Sequence, residues 1–297
     1  SEEKETIKMS LIINFLSLVF IYLLMSIETV FTDHTIYLWP FGNPLNGPFI
    51  HKVGIIFFSL SLLLFLANHK LKFIALCFFM LSLLFSILSG YRVGSFSFVI
   101  IIFLSILFIN PDIKRISILL LLFSLILIIY FTLNPNDFER YFINIINFSD
   151  GSFIQYLGQW KTGIYMFIKH PLLGIGPTNV QNYLSHDFIQ NFDPYGYSEH
   201  PHNHYIQAFA ETGIIGGLFY CLMVISIIIT LYKKISLKLK NISDFLILSS
   251  FISSICLLWP FGNTYDLFGQ QQNGFLWYSI SFLLVINSTH SHAKITN

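Results

Sequence analysis

Charge is what this sequence has least of. Only 10% of its 297 residues are Asp, Glu, Lys or Arg, against about 25% in a soluble globular domain, which excludes an ordinary water-soluble chain. The net charge of +1 at pH 7 leaves no basic surface to draw nucleic acid. Cysteine is nearly as sparse. Cys77, Cys221 and Cys256 each fall inside an apolar run and no CxxC pair exists, so neither a redox pair nor a zinc knuckle is on offer. No cleavable signal peptide is visible, and the chain opens with Ser1 and the polar run SEEKETIK, the look of a processed or cut beginning.

What fills the sequence instead is apolar: 55% hydrophobic residues, 33 of them Phe. Runs of about 18 or more such residues read as transmembrane helices, because about 20 cross the hydrocarbon core. Eight are expected, at 9–30, 49–67, 73–89, 93–109, 116–133, 205–231, 245–259 and 275–286. The fold class is therefore an all-α polytopic membrane protein, a single membrane domain over 1–297.

Lys and Arg set its orientation. With the N-terminus cytoplasmic, the inner segments hold Lys4, Lys8, Lys70, Lys72, Lys114, Arg115, Lys233, Lys234, Lys238, Lys240 and Lys294. The outer ones keep only Lys52, Arg92, Arg140, Lys161 and Lys169. That places both termini inside and residues 134–204 in one large external loop, long enough to carry function. Within the loop, Phe153, Leu157, Trp160, Ile164 and Phe167 recur at helical spacing, with Gln155, Gln159, Thr162 and Lys169 on other faces. An amphipathic helix over 152–169 follows, its aromatic stripe read as plain packing, along the membrane surface or over the spans. Pro171 ends it, Gly174 and Gly176 supply a turn, and Thr178 is placed to cap a short helix through Leu184. The pentapeptide WPFGN occurs twice, at 39–43 and 259–263, and reads as an interfacial Trp followed by a turn.

Ionisable groups gather at two places. Arg92, in SGYRVGSF, sits between two spans with almost no loop and so needs a partner or an anionic ligand. The stretch 198–217, SEHPHNHYIQAFAETGIIGG, crowds Glu199, His200, His202 and His204 onto the start of a long apolar helix. The first turn of a helix, here at His202 and Asn203, presents N–H groups to an anion such as diphosphate. His204, Gln207 and Glu211 share a face by spacing. Glu211 can orient a histidine or pair with Arg92. A histidine can take a proton from a hydroxyl near neutral pH, and arginine holds diphosphate bidentately. Gly213, Gly216 and Gly217 give the same helix a small-residue side for close helix contact. The residues leave other readings open: alternate histidines sharing a zinc ion, polar groups satisfied at a wet interface, or a polytopic transporter or flippase.

The phrase PHNHYIQAFAETGIIG resembles the PHN-x-[YF]-[IL]-Q…E-x-G-x-x-G signature of the bacterial O-antigen ligase/polymerase superfamily. Upstream, WKTGIYMFIKHPLLGIGPTNV resembles the W-x-x-[GA]…P-L-L-G-[IV]-G segment that precedes it there, and residues 89–94 match a [GS]-x-R-x-[AG] segment. The resemblance implies transfer of a glycan from undecaprenyl diphosphate to an acceptor hydroxyl, on a glycan or a lipid A-core. The place is the outer face of the bacterial inner membrane, amid membrane lipid, with no cofactor, no metal and no nucleic acid. It implies His202, Arg92 and Glu211 as catalytic residues and His200, Asn203, His204, Gln207, Arg140 and Lys161 as substrate contacts. Ligase, polymerase and protein O-glycosyltransferase share the motif. Members have about nine spans before the large loop, where five are expected here, so the resemblance implies a missing N-terminal part. Members also carry an arginine in an R-x-x-G-x-F context where this sequence has Asn43.

Overall fold

The computed structural model describes residues 46–88, 92–133, 135–139, 143, 151–184, 200–233, 235, 239, 242–260, 267, 268, 277 and 281. The described elements are all helices: α1 (Asn46–Leu66), α2 (Lys72–Leu88), α3 (Arg92–Ile109), α4 (Ile113–Leu133), α5 (Pro135–Phe138), α6 (Gly151–Lys169), α7 (Val180–Leu184), α8 (His204–Tyr232) and α9 (Ile242–Leu258). The expected spans from 49–67 to 116–133, with 205–231 and 245–259, each fall on one of these. The span at 9–30 lies outside the described residues, and of 275–286 only 277 and 281 are described.

Two described helices, α4 and α8, are long and apolar enough to cross a membrane by length and composition. The apolar stretches Gly54–Leu66, Lys72–Leu84, Phe96–Ile109 and Asp244–Leu258 are shorter. Two of the helices end at left-handed turns. Asn68 and Asn110 follow α1 and α3 with φ of 59° and 46°, the left-handed stop that asparagine tolerates best after glycine. The side chains facing outward are apolar all the same. On α4, Leu121, Ile128 and Leu133 are 69%, 63% and 74% exposed, and on α8 Phe219 is 69% exposed. Water disfavours such faces and lipid does not.

The chain divides into two compact units, one of residues 1–126, 230–257 and 275–297, the other of 127–229 and 258–274. In the first, α1, α2 and α3 pack on one another around Phe58, Phe79 and Phe98. Phe58 stacks on Phe98 with ring centroids 5.2 Å apart, and Phe79 meets Phe98 at 5.4 Å. Ser249, Ser250, Ser253 and Ser254 of α9 are buried, and Ser249 donates to the Ile56 carbonyl at 2.6 Å, the close approach that small residues allow between helices. At one end of this unit Asp112 caps α4 through the Arg115 N–H and pairs with its guanidinium, which also donates to the Leu66 carbonyl. His69 meets Phe245 at that same end. The turns bearing Lys70, Lys72, Lys114 and Arg115 are thereby brought together.

Candidate functional site

The second unit is built on α6, which runs from Gly151 to Lys169, close to the expected 152–169. Its apolar and polar side chains are divided between the buried and exposed sides. Gln159, Thr162 and Met166 are buried, while Leu157, Ile164 and Ile168 are 42%, 48% and 65% exposed. Of the expected stripe, Leu157 and Ile164 are exposed while Trp160 and Phe167 are partly buried. Gly163 is closely packed, since a Cβ there would meet Ile206 and Pro201.

Pro171 turns the chain off α6, and residues 171–178 then cross α8 at a kink. Gly213 carries the kink, with φ 66° and ψ −165°, backbone angles open essentially to glycine alone. A side chain at Gly213 would also strike the Leu172 carbonyl, and one at Gly174 (φ 69°) would strike the backbone of Glu211. The two glycines are pressed together, which is the physical reason for PLLGIG and ETG in one protein. Hydrogen bonds fasten the crossing: Ile175 N–H to the Ala210 carbonyl at 3.0 Å, Gly176 N–H to the Glu211 carbonyl at 2.9 Å, Ile214 N–H to the Pro171 carbonyl at 2.8 Å. Gly216 and Gly217 leave room for Thr212 and Phe209 of their own helix, so the small side chains serve the kink itself.

Glu211, 1% exposed, sits under this crossing. Its Oε2 accepts from the Thr178 N–H at 2.5 Å and its Oε1 from the Gln207 amide at 2.6 Å. Gln207 in turn accepts from the Leu267 N–H at 2.7 Å. Thr178 adopts φ 59° to make its bond, and the cap of α7 is Asn179, whose carbonyl accepts from Tyr183. The expected capping role thus moves one residue along. Beside it, burial first and Tyr165 second push the Tyr183 hydroxyl above the ordinary phenol range.

The three histidines take different places. His202 has φ 52°, a left-handed turn that delivers the chain from Pro201 into α8. Such a conformation costs about 1–2 kcal/mol in an L-residue, a cost that points toward function when it occurs at a cluster of ionisable groups. Its half-exposed ring stands between Tyr156, edge-on at 5.4 Å, and His200, at 4.1 Å. His204 is fully buried, with Nδ1 3.5 Å from the Tyr220 hydroxyl. Among the described residues no three His, Cys, Asp or Glu side chains converge as a metal-ligating group.

Asn203 is the cap of α8. Its Oδ1 accepts from the Tyr205 and Ile206 N–H groups at 3.0 and 3.1 Å, and its Nδ2 donates to the Pro260 carbonyl at 3.0 Å. This corrects the expected row of open N–H groups at the helix start, because the cap satisfies two of them. Lys161 is exposed on α6. Arg92 opens α3 in the first unit, its side chain outside the described residues, as is Arg140.

A comparison with protein families matches residues 55–221 to the O-antigen ligase model, more than half of the sequence. The chain belongs to the O-antigen ligase family. No curated protein matches it. The chemistry of this family is glycan transfer in O-antigen biosynthesis, and the O-antigen ligase segment runs from within α1 to within α8. It takes in Arg92, the α6 helix, the loop crossing and the whole histidine cluster.

Sequence reasoning brought His200, His202, Asn203, His204, Gln207 and Glu211 together, and the structure holds them in one unit. It missed Tyr156 and the clasp from the end of α9, where the Leu258 carbonyl accepts from the Tyr205 hydroxyl at 2.7 Å. The signal for the clasp was present. The second WPFGN begins at Trp259, and Pro260 within it holds Asn203 of the O-antigen ligase motif.

Proposed function

We propose that the protein transfers a glycan from undecaprenyl diphosphate to an acceptor hydroxyl at the outer face of the bacterial inner membrane, with His202 as general base. The observation that carries this reading is the placement of His202. It is the motif histidine, half-exposed in a left-handed turn and flanked by Tyr156 and His200, while His204 is sealed inside the helix. A base must reach the proton it removes, and of the two histidines in PHNH only His202 reaches the surface.

The chemistry balances with few parts. His202 takes the acceptor hydroxyl proton as the oxygen attacks the anomeric carbon. The bond from that carbon to the diphosphate oxygen breaks, and undecaprenyl diphosphate leaves with the electron pair. Arg92 holds the departing diphosphate, with Arg140 and Lys161 as further cations and His200 at its edge, while Asn203 acts by capping α8. Glu211 and Gln207 act by position, holding the 171–178 crossing against α8. The topology that goes with this reading is eight spans with both ends inside, and the gathering of Lys70, Lys72, Lys114 and Arg115 at one end of the first unit supports it.

Purified protein given a lipid-diphosphate-linked oligosaccharide and candidate acceptors tests the reading, and Arg92 sharpens it. Arg92→Lys should impair transfer badly, since a point charge does not reproduce bidentate contact. Arg92→Ala should weaken donor binding while leaving the melting temperature in place. Unchanged donor affinity in Arg92→Ala would sink the diphosphate role.

A further inference from the structure

On the buried face of α6 one side chain stands apart. Gln159 is 2% exposed, and neither its Oε1 nor its Nε2 has a hydrogen-bond partner among the described residues. Thr162 on the same face is buried to the same degree, yet its hydroxyl donates to the Gly158 carbonyl at 3.0 Å. A buried carboxamide without partners is less favourable than an apolar side chain of the same size. Stability alone therefore gives no reason for a glutamine at this position.

Helical spacing fixes where the amide faces. Tyr156, three residues earlier, meets His202 edge-on at 5.4 Å. Gly163, four residues later, lies against Pro201 and Ile206 too closely for a side chain. Residues three and four apart share a helix face. Gln159 thus sits between two contacts with the 201–206 turn, on the side of α6 that covers it.

We propose that Gln159 is a sugar-binding residue whose carboxamide hydrogen-bonds a hydroxyl of the acceptor glycan, next to the hydroxyl that His202 deprotonates. The proposal rests on the glycan-transfer reading above. An amide presents two N–H donors and a carbonyl acceptor within one short group. Neighbouring sugar hydroxyls each donate and accept, so a pair of them matches both ends of the amide. A diphosphate, all acceptors, would leave the amide carbonyl facing oxygen. The amide therefore matches sugar rather than diphosphate, and the sugar whose hydroxyl stands at His202 is the acceptor's. The amide is closed over in this structure, so the sugar reaches it only when the neighbouring side chains move aside.

Binding to the purified full chain tests this without requiring turnover. The probes are lipid-free core oligosaccharide with its acceptor hydroxyl free, lipid-free O-glycan oligosaccharide, and the intact lipid-diphosphate-linked glycan. Gln159→Met keeps the length of the side chain and removes both polar atoms; Gln159→Leu is the second variant. Both should weaken oligosaccharide binding about tenfold, the loss of one or two neutral hydrogen bonds. Donor affinity should stay at the wild-type value, and the melting temperature should hold or rise. Oligosaccharide affinity equal to wild type in Gln159→Met overturns the proposal and leaves the transfer reading standing. So does a melting temperature that falls in step with affinity in both variants, which marks a structural amide or a structural water. A wild-type chain that binds neither oligosaccharide nor lipid-linked donor overturns both.

Discussion

Replacing Glu211 with glutamine exchanges one oxygen for an NH2 group and sets a problem the site cannot solve. Two backbone donors bound the relay, Leu267 N–H at one end and Thr178 N–H at the other. Between them lie the Gln207 amide and the Glu211 carboxylate. Leu267 fixes Gln207 with its oxygen toward the loop, so the Gln207 Nε2 faces position 211. Two donors then point at residue 211, and a carboxylate accepts from both. The substituted carboxamide has a single acceptor oxygen. Whichever way it turns, its NH2 group meets Thr178 N–H or Gln207 Nε2, and flipping Gln207 only moves the clash to Leu267. One buried donor is left unmet, a loss of about 1–3 kcal/mol, equivalent to about 5- to 150-fold faster local opening. Hydrogen exchange on Glu211→Gln in detergent reads this directly. The amides of Thr178 and Leu267 should exchange faster by that factor and the melting temperature should fall, while the α1–α3 packing of the other unit keeps its protection. Unchanged exchange at both amides would refute the reasoning.

Two further outcomes follow. Gly213→Ala should lower the melting temperature strongly, by more than the roughly 1–3 kcal/mol that such a backbone conformation costs on its own, because the new methyl also meets the Leu172 carbonyl; a variant as stable as wild type would show that the kink is not what seats the loop. Cysteines placed at Ser149 and Ser236 should label from opposite sides of the membrane, and labelling of both from one side would overturn the topology.

The helices were legible in the sequence because apolar runs are long and turns are marked: α6 begins and ends within a residue of its expected limits. Its facing was less legible, since Leu157 and Ile164 turn outward and Gln159 and Thr162 inward. The motif pointed to residues that the structure gathers in one unit, but to only part of their work. Asn203, a substrate contact by the resemblance, and Glu211, expected to orient a histidine or pair with Arg92, hydrogen-bond Pro260, Tyr205 and Ile206, and Thr178 and Gln207. The bonds to Pro260 and Thr178 join positions tens of residues apart, and no local spacing encodes them. The crossing of Gly174 over Gly213 was hidden for the same reason, although each glycine stands out by itself.

The central claim is that His202 is the base, and the turnover number of single histidine variants tests it most directly. With donor and acceptor saturating, His202→Ala should lower kcat by about 10²- to 10⁴-fold, the usual worth of a general base, with donor affinity and membrane insertion intact. His200→Ala should do less, and His204→Ala should act mainly through stability, because its ring is sealed beside Tyr220. Equal losses in all three variants, restored in part by added zinc, or full turnover in His202→Ala, would contradict the account.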